Sequence, residues 1–236
     1  MIDETDLSQE VKWFYADRAK KAVSVIHKKN INAQYMPNRK EALEAVMNMI
    51  PEGVTVVRGD SMSVDEVGVI SEVRKRAKNK LIDPFLRDAE GYYKAEHEER
   101  MRMEREAFTA DIYITGANAI TLDGKIVSTD GVGNRVAPVI FGPKKVILVI
   151  GANKIVKDLD QALRRIHEVA APINAKRHAL HYHRPEIGEL PCAKTGICVD
   201  CNHDWRICRY TVIIEGSQIR DKGRINVVLV GEQLGI

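Results

Sequence analysis

The sequence lacks long hydrophobic runs and a strong excess of charge of either sign. No apolar stretch approaches the roughly 18–20 residues that a helix needs to span a bilayer. The opening residues, MIDETDLSQE, contain no apolar core of the signal-peptide kind. The net charge is only +3 over 236 residues, and basic side chains alternate with acidic ones. We therefore expect a cytoplasmic protein that binds neither membranes nor nucleic acid.

Nucleotide and serine-hydrolase motifs are missing as well. The chain contains no G-x-G-x-x-G turn, no Walker lysine motif and no G-x-S-x-G elbow, so no nucleotide cofactor is predicted. There is no internal repeat and no low-complexity linker. With 44% hydrophobic and 29% charged residues, the chain has the composition of one globular domain, which we assign to residues 1–236.

The pattern of apolar residues indicates an α/β fold. Between Ala110 and Arg177 the sequence reads as strand, tight turn, strand, glycine-rich loop, short helix, buried strand and long helix. Asp123-Gly124 is a hairpin turn signal, and VILVIG (146–151) is typical of a parallel strand covered on both faces. The helix is predicted over Asp158 to Ala171. We expect an open, mainly parallel sheet with helices on both faces and a small antiparallel part at the hairpin.

The flanking segments complete this prediction. Residues 1–36 are interpreted as an N-terminal helical arm, capped by Thr5 or Asp6. Asn38 followed by Glu41 resembles a capping box and predicts the start of the next helix. Residues 88–107 are rich in charge and are interpreted as a solvated helix or a cover over the site. Residues 175–190 look irregular, and residues 178–210 form a Cys/His-rich excursion before the last two strands.

A first candidate anion site follows the strand VTVV. The loop carries Gly59, Ser61 and Ser63, and a helix is predicted to open near residues 64–66. Free backbone N–H groups and the helix dipole favour a phosphate or carboxylate at such a position. The alternative is that Ser61 or Ser63 only caps the helix.

A second candidate site is the glycine- and asparagine-rich region. Glycines there permit positive φ and a close approach of backbone to ligand, while arginine and lysine can bind anionic oxygens. The alternative is that the polar residues only fix turns. The candidate residues are Asn118, Asp130, Gly131, Gly133, Asn134, Arg135 and Lys154.

All four cysteines lie in one short segment with the spacing C-x5-C-x2-C-x6-C. Cys192, Cys198, Cys201 and Cys208 could supply the four thiolates of either a zinc site or a [4Fe–4S] cluster, and the spacing does not separate the two. The alternative is a set of reduced thiols.

Several motifs carry a resemblance to a known family. GANAITLDG (116–124), STDGVGNRVAPVIFGPKKVILVIGANKIVKDL (128–159) and APINAKR (171–177) resemble the LUD-domain family of lactate-utilisation proteins, over about residues 42–230. The resemblance implies the fold of ribose-phosphate isomerase, glucosamine-phosphate deaminase and CoA-transferase. It adds Glu66 to the first loop, and it places Asn118 where those enzymes often carry a carboxylate base.

The resemblance also implies a function. The expected role is a soluble component of an iron–sulfur system that oxidises L-lactate, with a small anionic substrate and iron–sulfur partner subunits; a [4Fe–4S] cluster is thereby favoured over zinc. One alternative is a standalone transferase or isomerase that acts on a sugar phosphate or CoA ester. Another is a non-enzymatic redox-sensing or assembly module. A homo-oligomer is compatible with each of these.

Overall fold

The computed structural model describes residues 4–236, and within them ten strands form two sheets. The first three residues of the predicted N-terminal arm lie outside the described residues. The strands are β1 (Asn32–Met36), β2 (Thr55–Arg58), β3 (Lys80–Ile82), β4 (Ile112–Thr115), β5 (Ala119–Thr121), β6 (Ile126–Asp130), β7 (Lys145–Gly151), β8 (Ile155–Val156), β9 (Tyr210–Ile214) and β10 (Ile225–Val230).

The helices alternate with these strands along most of the chain. They are α1 (Ser8–His27), α2 (Arg39–Asn48), α3 (Met62–Val67), α4 (Val69–Arg76), α5 (His97–Glu106), α6 (Ala137–Ile140), α7 (Leu159–Arg165), α8 (Ala171–His181), α9 (Pro185–Gly188) and α10 (Pro191–Thr195). Among the described residues, no helix combines the length and the apolar character needed to cross a membrane.

The larger sheet has six parallel strands in the order β1-β10-β7-β4-β2-β3. β7 is apolar at nearly every position and buried from Val146 onwards, as predicted for a strand covered on both faces. Alternate residues of the strands face opposite sides, so that Leu148 packs in one core layer and Ile147 in the other. The predicted α/β fold is confirmed.

Helices cover both faces of this sheet. α1 buries Ala19, Ala22 and Ile26 against one face, whereas α2, α3 and α4 pack on the other. The predicted start of α2 is confirmed, because the Asn38 side chain accepts a hydrogen bond from the Glu41 N–H at 3.0 Å. α1 begins at Ser8, and the Asp6 carboxylate accepts a hydrogen bond from the Ser8 N–H at 3.0 Å.

The predicted antiparallel part is a second sheet of four strands in the order β8-β5-β6-β9. β5 and β6 form the predicted hairpin, with Gly124 at φ +80° in the turn. β9 then pairs antiparallel with β6. This pairing brings the chain that follows the cysteines back to the end of β6 at Asp130.

The segment after β8 is more helical than predicted. The helix does not end at Ala171: α7 continues through a wider π turn (Ile166–Ala170) into α8, which reaches His181. Proline normally clashes with the carbonyl four residues before it, and the π turn immediately before Pro172 changes that spacing. The prediction of an irregular segment over residues 175–190 was therefore wrong.

Two other helix boundaries differ from the prediction. Only the second half of residues 88–107 is helical, since the Asp88 carboxylate accepts hydrogen bonds from the N–H groups of Glu90 and Tyr92 and turns the chain. α3 begins at Met62 and not near residue 64, and Gly68, at φ +85°, separates it from α4.

Candidate functional site

A cavity of about 680 Å³ lies at the carboxyl ends of the parallel strands. The loops that follow β2, β4, β6 and β7 supply its floor, which is where open α/β sheets bind ligands. α5 and the helix formed by α7 and α8 supply two walls, and residues 204–210 supply another. The charged stretch at residues 88–107 contains α5 and therefore borders the site, as expected if this stretch covers it.

Cationic side chains outnumber carboxylates in the lining of this cavity. Such an excess favours an anionic ligand, since a concave surface concentrates the field of its charges. The cations are Arg100, Arg135, Lys154, Arg177, Arg184, Arg206 and Arg209, and the carboxylates are Asp60, Glu104, Asp130 and Asp204.

Arg135 places a positive charge at the cavity, and uncharged oxygen atoms hold its guanidinium in position. Its Nη2 donates to the Thr129 carbonyl at 2.6 Å and to Asn118 Oδ1 at 3.0 Å, and its Nη1 donates to the Gly116 carbonyl at 3.3 Å. These oxygens orient the guanidinium without neutralising it. Asn118 is consequently a positioning residue, because its side-chain oxygen also accepts from the Thr129 N–H at 2.9 Å.

Asp130 shapes the glycine-rich loop. Its carboxylate accepts hydrogen bonds from the N–H groups of Gly131 at 2.7 Å and Arg135 at 2.8 Å, so it fixes the turn while also lining the cavity. Gly131 and Asn134 line the cavity. Gly133 has φ +90° and makes the loop possible, but it lies outside the lining.

The residues of the loop after β2 that were predicted to bind an anion do not all lie at the cavity. Ser61 lines the cavity and makes no side-chain cap to α3. Gly59 is packed so closely that a Cβ there would overlap the Tyr113 hydroxyl. Glu66 accepts a hydrogen bond from the Gly235 N–H at 3.0 Å. Ser63 is fully buried, so within this loop's predicted set Ser61 alone faces a ligand.

Lys154 is a buried amine in the cavity wall. Its side chain is only 6% exposed, and its Nζ donates to the uncharged Ser63 Oγ at 3.0 Å. Burial lowers the pKa of Lys154 to about 7, and the nearby charges of Arg165 and Arg135 contribute to this change. A large fraction of this lysine is therefore a neutral amine at physiological pH.

The opposite wall carries a charged group that is not among the residues predicted from the sequence. Asp60 pairs with Arg177 at 3.3 Å, and burial lowers the pKa of His178 to about 4. Burial disfavours the ionised form of Asp60, but Arg177 and Arg58 outweigh it and lower the pKa of this carboxyl. Within residues 4–236, Arg177 Nε and His178 Nδ1 are buried and have no hydrogen-bond partner.

A stack of arginine and tyrosine side chains supports this wall. Tyr93 lies between Arg100 and Arg87, whose guanidinium carbons are 3.8 and 3.7 Å from its ring centroid. Tyr182 lies between Arg87 and Arg177 at 3.5 and 4.9 Å. Cation–π contacts of this kind hold several like charges together at one edge of the cavity.

A periodic signal in the sequence could have revealed these residues. Ile166, Ala170, Asn174 and His178 recur every four residues and all line the cavity, with Arg177 beside them. The prediction that the helix ends at Ala171 concealed this pattern.

The four cysteines are free, partly buried thiols. Burial raises the pKa of Cys192, and the neighbouring Cys201, Cys208 and Cys198 raise it further. The four sulfurs are therefore close enough to influence one another electrostatically. Cys208 also lines the cavity.

The thiols have hydrogen-bond donors of the kind that thiolates need. Arg206 Nε donates to Cys208 Sγ at 3.2 Å, and the Asp200 N–H donates to Cys198 Sγ at 3.4 Å. His167 Nδ1 lies 3.5 Å from Cys198 Sγ. Within residues 4–236, three or more potential ligands are not gathered around one point, yet the chemistry of this donor set fits a four-thiolate centre.

The geometry defines an α/β protein with a cationic cavity at the carboxyl ends of its parallel strands, next to a thiol cluster. A family model, the LUD domain, matches residues 19–230. The chain belongs to the LUD-domain family. A search of curated proteins finds no match.

Two solved structures are similar to this chain. A DUF162-family protein from Deinococcus radiodurans has a TM-score of 0.51 and 12% identity, over 92% of this chain and 97% of that one. Its likeness supports the fold. The delta subunit of eIF2B from Chaetomium thermophilum gives a TM-score of 0.34 and 16% identity, over 67% of this chain and 59% of that one.

Proposed function

We propose that this lactate-utilisation-type protein belongs to an iron–sulfur system that oxidises L-lactate to pyruvate. The observation that carries the proposal is a shared wall: Arg206, Cys208 and Arg209 line the anion cavity, and Cys208 belongs to the thiol cluster. A ligand in the cavity would therefore lie beside a metal centre held by the cysteines.

The charges of the cavity support a small carboxylate as the ligand. Among the described residues the acceptors of the Arg135 guanidinium are all neutral, so a carboxylate can bind to it without displacing an ion pair. Asn134 and Ser61 offer further polar groups in the same lining. A 2-hydroxy acid has both the anionic group and the hydroxyl that such a site can hold.

The thiol cluster supports a metal centre. Cys192, Cys198, Cys201 and Cys208 would hold it, and Arg206 would hydrogen-bond to sulfur and offset its charge. Four thiolates accept zinc or a [4Fe–4S] cluster, and the family's association with lactate oxidation favours the cluster. A bound cluster would exchange one electron at a time.

The oxidation needs electron acceptors outside the chain. Conversion of L-lactate to pyruvate releases two electrons and two protons, whereas a [4Fe–4S] centre carries one electron. Iron–sulfur partner subunits would accept these electrons in succession, and the protons would pass to solvent.

A specific observation favours one alternative, a transferase or isomerase acting on a sugar phosphate or CoA ester. The cavity measures about 680 Å³. Lactate would need on the order of 200 Å³ if each of its non-hydrogen atoms took up roughly the volume of a water molecule. A larger anion could also reach Arg177 and Arg100 on the far wall.

Metal analysis of protein purified without oxygen tests the proposal. We expect about four irons and four sulfides per chain and broad absorption in the visible range, both lost when all four cysteines become serine. The variant with Val199→Ser, which keeps the thiols and changes an exposed side chain of the same segment, serves as the matched control and should retain the iron. Absence of iron from the anaerobic protein, or equal iron in the serine variant, would contradict a cluster at these cysteines.

Turnover separates the two functions. Lactate oxidation with an artificial one-electron acceptor should require the cysteines. Activity on a sugar phosphate or CoA ester should survive their replacement, because that chemistry needs only the cavity. Circular dichroism of the serine variant checks that the fold is retained.

A further inference from the structure

We propose that Lys154 is a nucleophilic amine that forms a Schiff base with a 2-oxo acid bound in the cavity. The inference rests on the proposed function in one respect, since it needs the cavity to bind a small carboxylate. It goes beyond that function because the oxidation of lactate requires no covalent bond to the chain.

The position of Lys154 suits an attacking amine. The side chain lines the cavity while being 6% exposed, so it is shielded from bulk water yet borders the ligand space. Its Nζ donates one hydrogen bond, to Ser63 Oγ at 3.0 Å, and the Ser63 hydroxyl donates in turn to the Leu234 carbonyl at 3.3 Å. This chain of bonds orients the amine, and within residues 4–236 no group donates a hydrogen bond to its lone pair.

The charges around Lys154 favour its neutral form. Arg165 of α7 and Arg135 of the loop after β6 repel a second positive charge, and burial adds to their effect. Glu66 of α3 acts in the opposite sense, but its carboxylate accepts a hydrogen bond from the Gly235 N–H at 3.0 Å. The result is a pKa near 7. Buried lysines next to cations are the ones that act as amine nucleophiles.

Arg135 places the other end of the ligand. Arg135 and Lys154 line the same cavity and interact electrostatically. If Arg135 binds the carboxylate of a 2-oxo acid, the adjacent carbonyl carbon is the electrophile offered to the Lys154 amine. The neutral amine adds to that carbon: a nitrogen–carbon bond forms, the π bond of the carbonyl breaks, and the carbonyl oxygen takes the proton that the nitrogen gives up. The resulting carbinolamine then loses water to give the imine, so that one water is released for each bond formed.

Reductive trapping tests the bond directly. Pyruvate and cyanoborohydride are added to the intact wild-type chain, and the product is digested and mapped by mass spectrometry. We expect one carboxyethyl group per chain, on the peptide that contains Lys154. The adduct should disappear in Lys154→Met and persist in Lys157→Met, whose side chain is exposed three residues away. Trapping spread over exposed lysines, or unchanged in Lys154→Met, would overturn the inference; the wild-type map decides even if the variant misfolds.

A binding measurement separates this inference from the proposed function. Pyruvate is titrated without reductant into wild type and Lys154→Met. Saturable binding to wild type without any trapped adduct would refute the Schiff base and leave the carboxylate site intact. Absence of pyruvate binding to wild type would refute both.

Discussion

Replacing Lys154 by methionine is predicted to stabilise the protein at neutral and acidic pH and to have little effect at high pH. The pKa of the lysine falls from 10.5 to about 7 on folding, which corresponds to roughly 5 kcal/mol at about 1.4 kcal/mol per pH unit. The lost hydrogen bond to Ser63 offsets about 1 kcal/mol of this gain. A net increase of about 4 kcal/mol in the free energy of unfolding is expected below pH 7.

The sign follows from the direction of the shift. Between about pH 7 and 10.5 the unfolded chain binds the lysine proton and the folded chain does not, so wild-type stability rises with pH over this range. Below pH 7 both states carry the proton, and the folded state bears the full cost of burying the charge. Methionine removes that cost, and its advantage therefore fades as the pH approaches 10.5.

Urea unfolding at about pH 6 and about pH 10, under reducing conditions, measures this difference. The exposed Lys157→Met is the matched control, and its difference from wild type should not change between the two pH values. Thiol ionisation at high pH affects all three proteins alike. If Lys154→Met shows the same difference from wild type at both pH values, or is less stable at pH 6, the account of Lys154 as a neutral buried amine is refuted.

Three further substitutions test the architecture of the site. Gly59→Ala should lower the free energy of unfolding by about 1–3 kcal/mol, because the new methyl group overlaps the Tyr113 hydroxyl; an unchanged urea midpoint would contradict this. Asn118→Ala should cost about 1–3 kcal/mol by removing the oxygen shared by Arg135 and a backbone N–H, and it should weaken lactate binding as well. Asp130→Ala leaves three loop N–H groups without their acceptor, and faster amide hydrogen exchange over residues 131–136 would report the loosened loop.

The elements that could be predicted from sequence are those whose signals are local. The run 146–151 indicated a parallel strand covered on both faces because it is continuously apolar, and β7 is such a strand. Asp123-Gly124 predicted a hairpin because glycine adopts a positive φ readily. Asn38 predicted a helix start because its side chain replaces a missing backbone acceptor.

Local signals fail where tertiary contacts decide. Nothing around residues 225–230 shows that β10 pairs between β1 and β7, because strand order depends on contacts between distant segments. The helix was predicted to end at Ala171, and the π turn before Pro172 allows it to continue. Because the helix was predicted to end at Ala171, Arg177 and His178 were not predicted to form a wall of the cavity.

In the candidate site, too, local signals could be predicted from the sequence and tertiary contacts could not. The loop at 130–135, which was predicted to bind a ligand because of its glycines and polar residues, contributes to the cavity lining. The sequence could not separate residues that face the ligand from those that hold them, since Asp130 and Asn118 bind backbone N–H groups. Lys154 was predicted to bind anionic oxygens as a cation, whereas burial and neighbouring arginines lower its pKa to about 7.

The most direct test of the anion cavity is calorimetric titration of L-lactate, and of its uncharged amide, into anaerobic protein. We expect saturable binding of one lactate per chain, little binding of the amide, and an affinity for lactate that falls by about tenfold to a hundredfold in Arg135→Gln, as the loss of a charged hydrogen bond implies. Equal binding of lactate and its amide, or full affinity in Arg135→Gln, would contradict a carboxylate site built on this arginine.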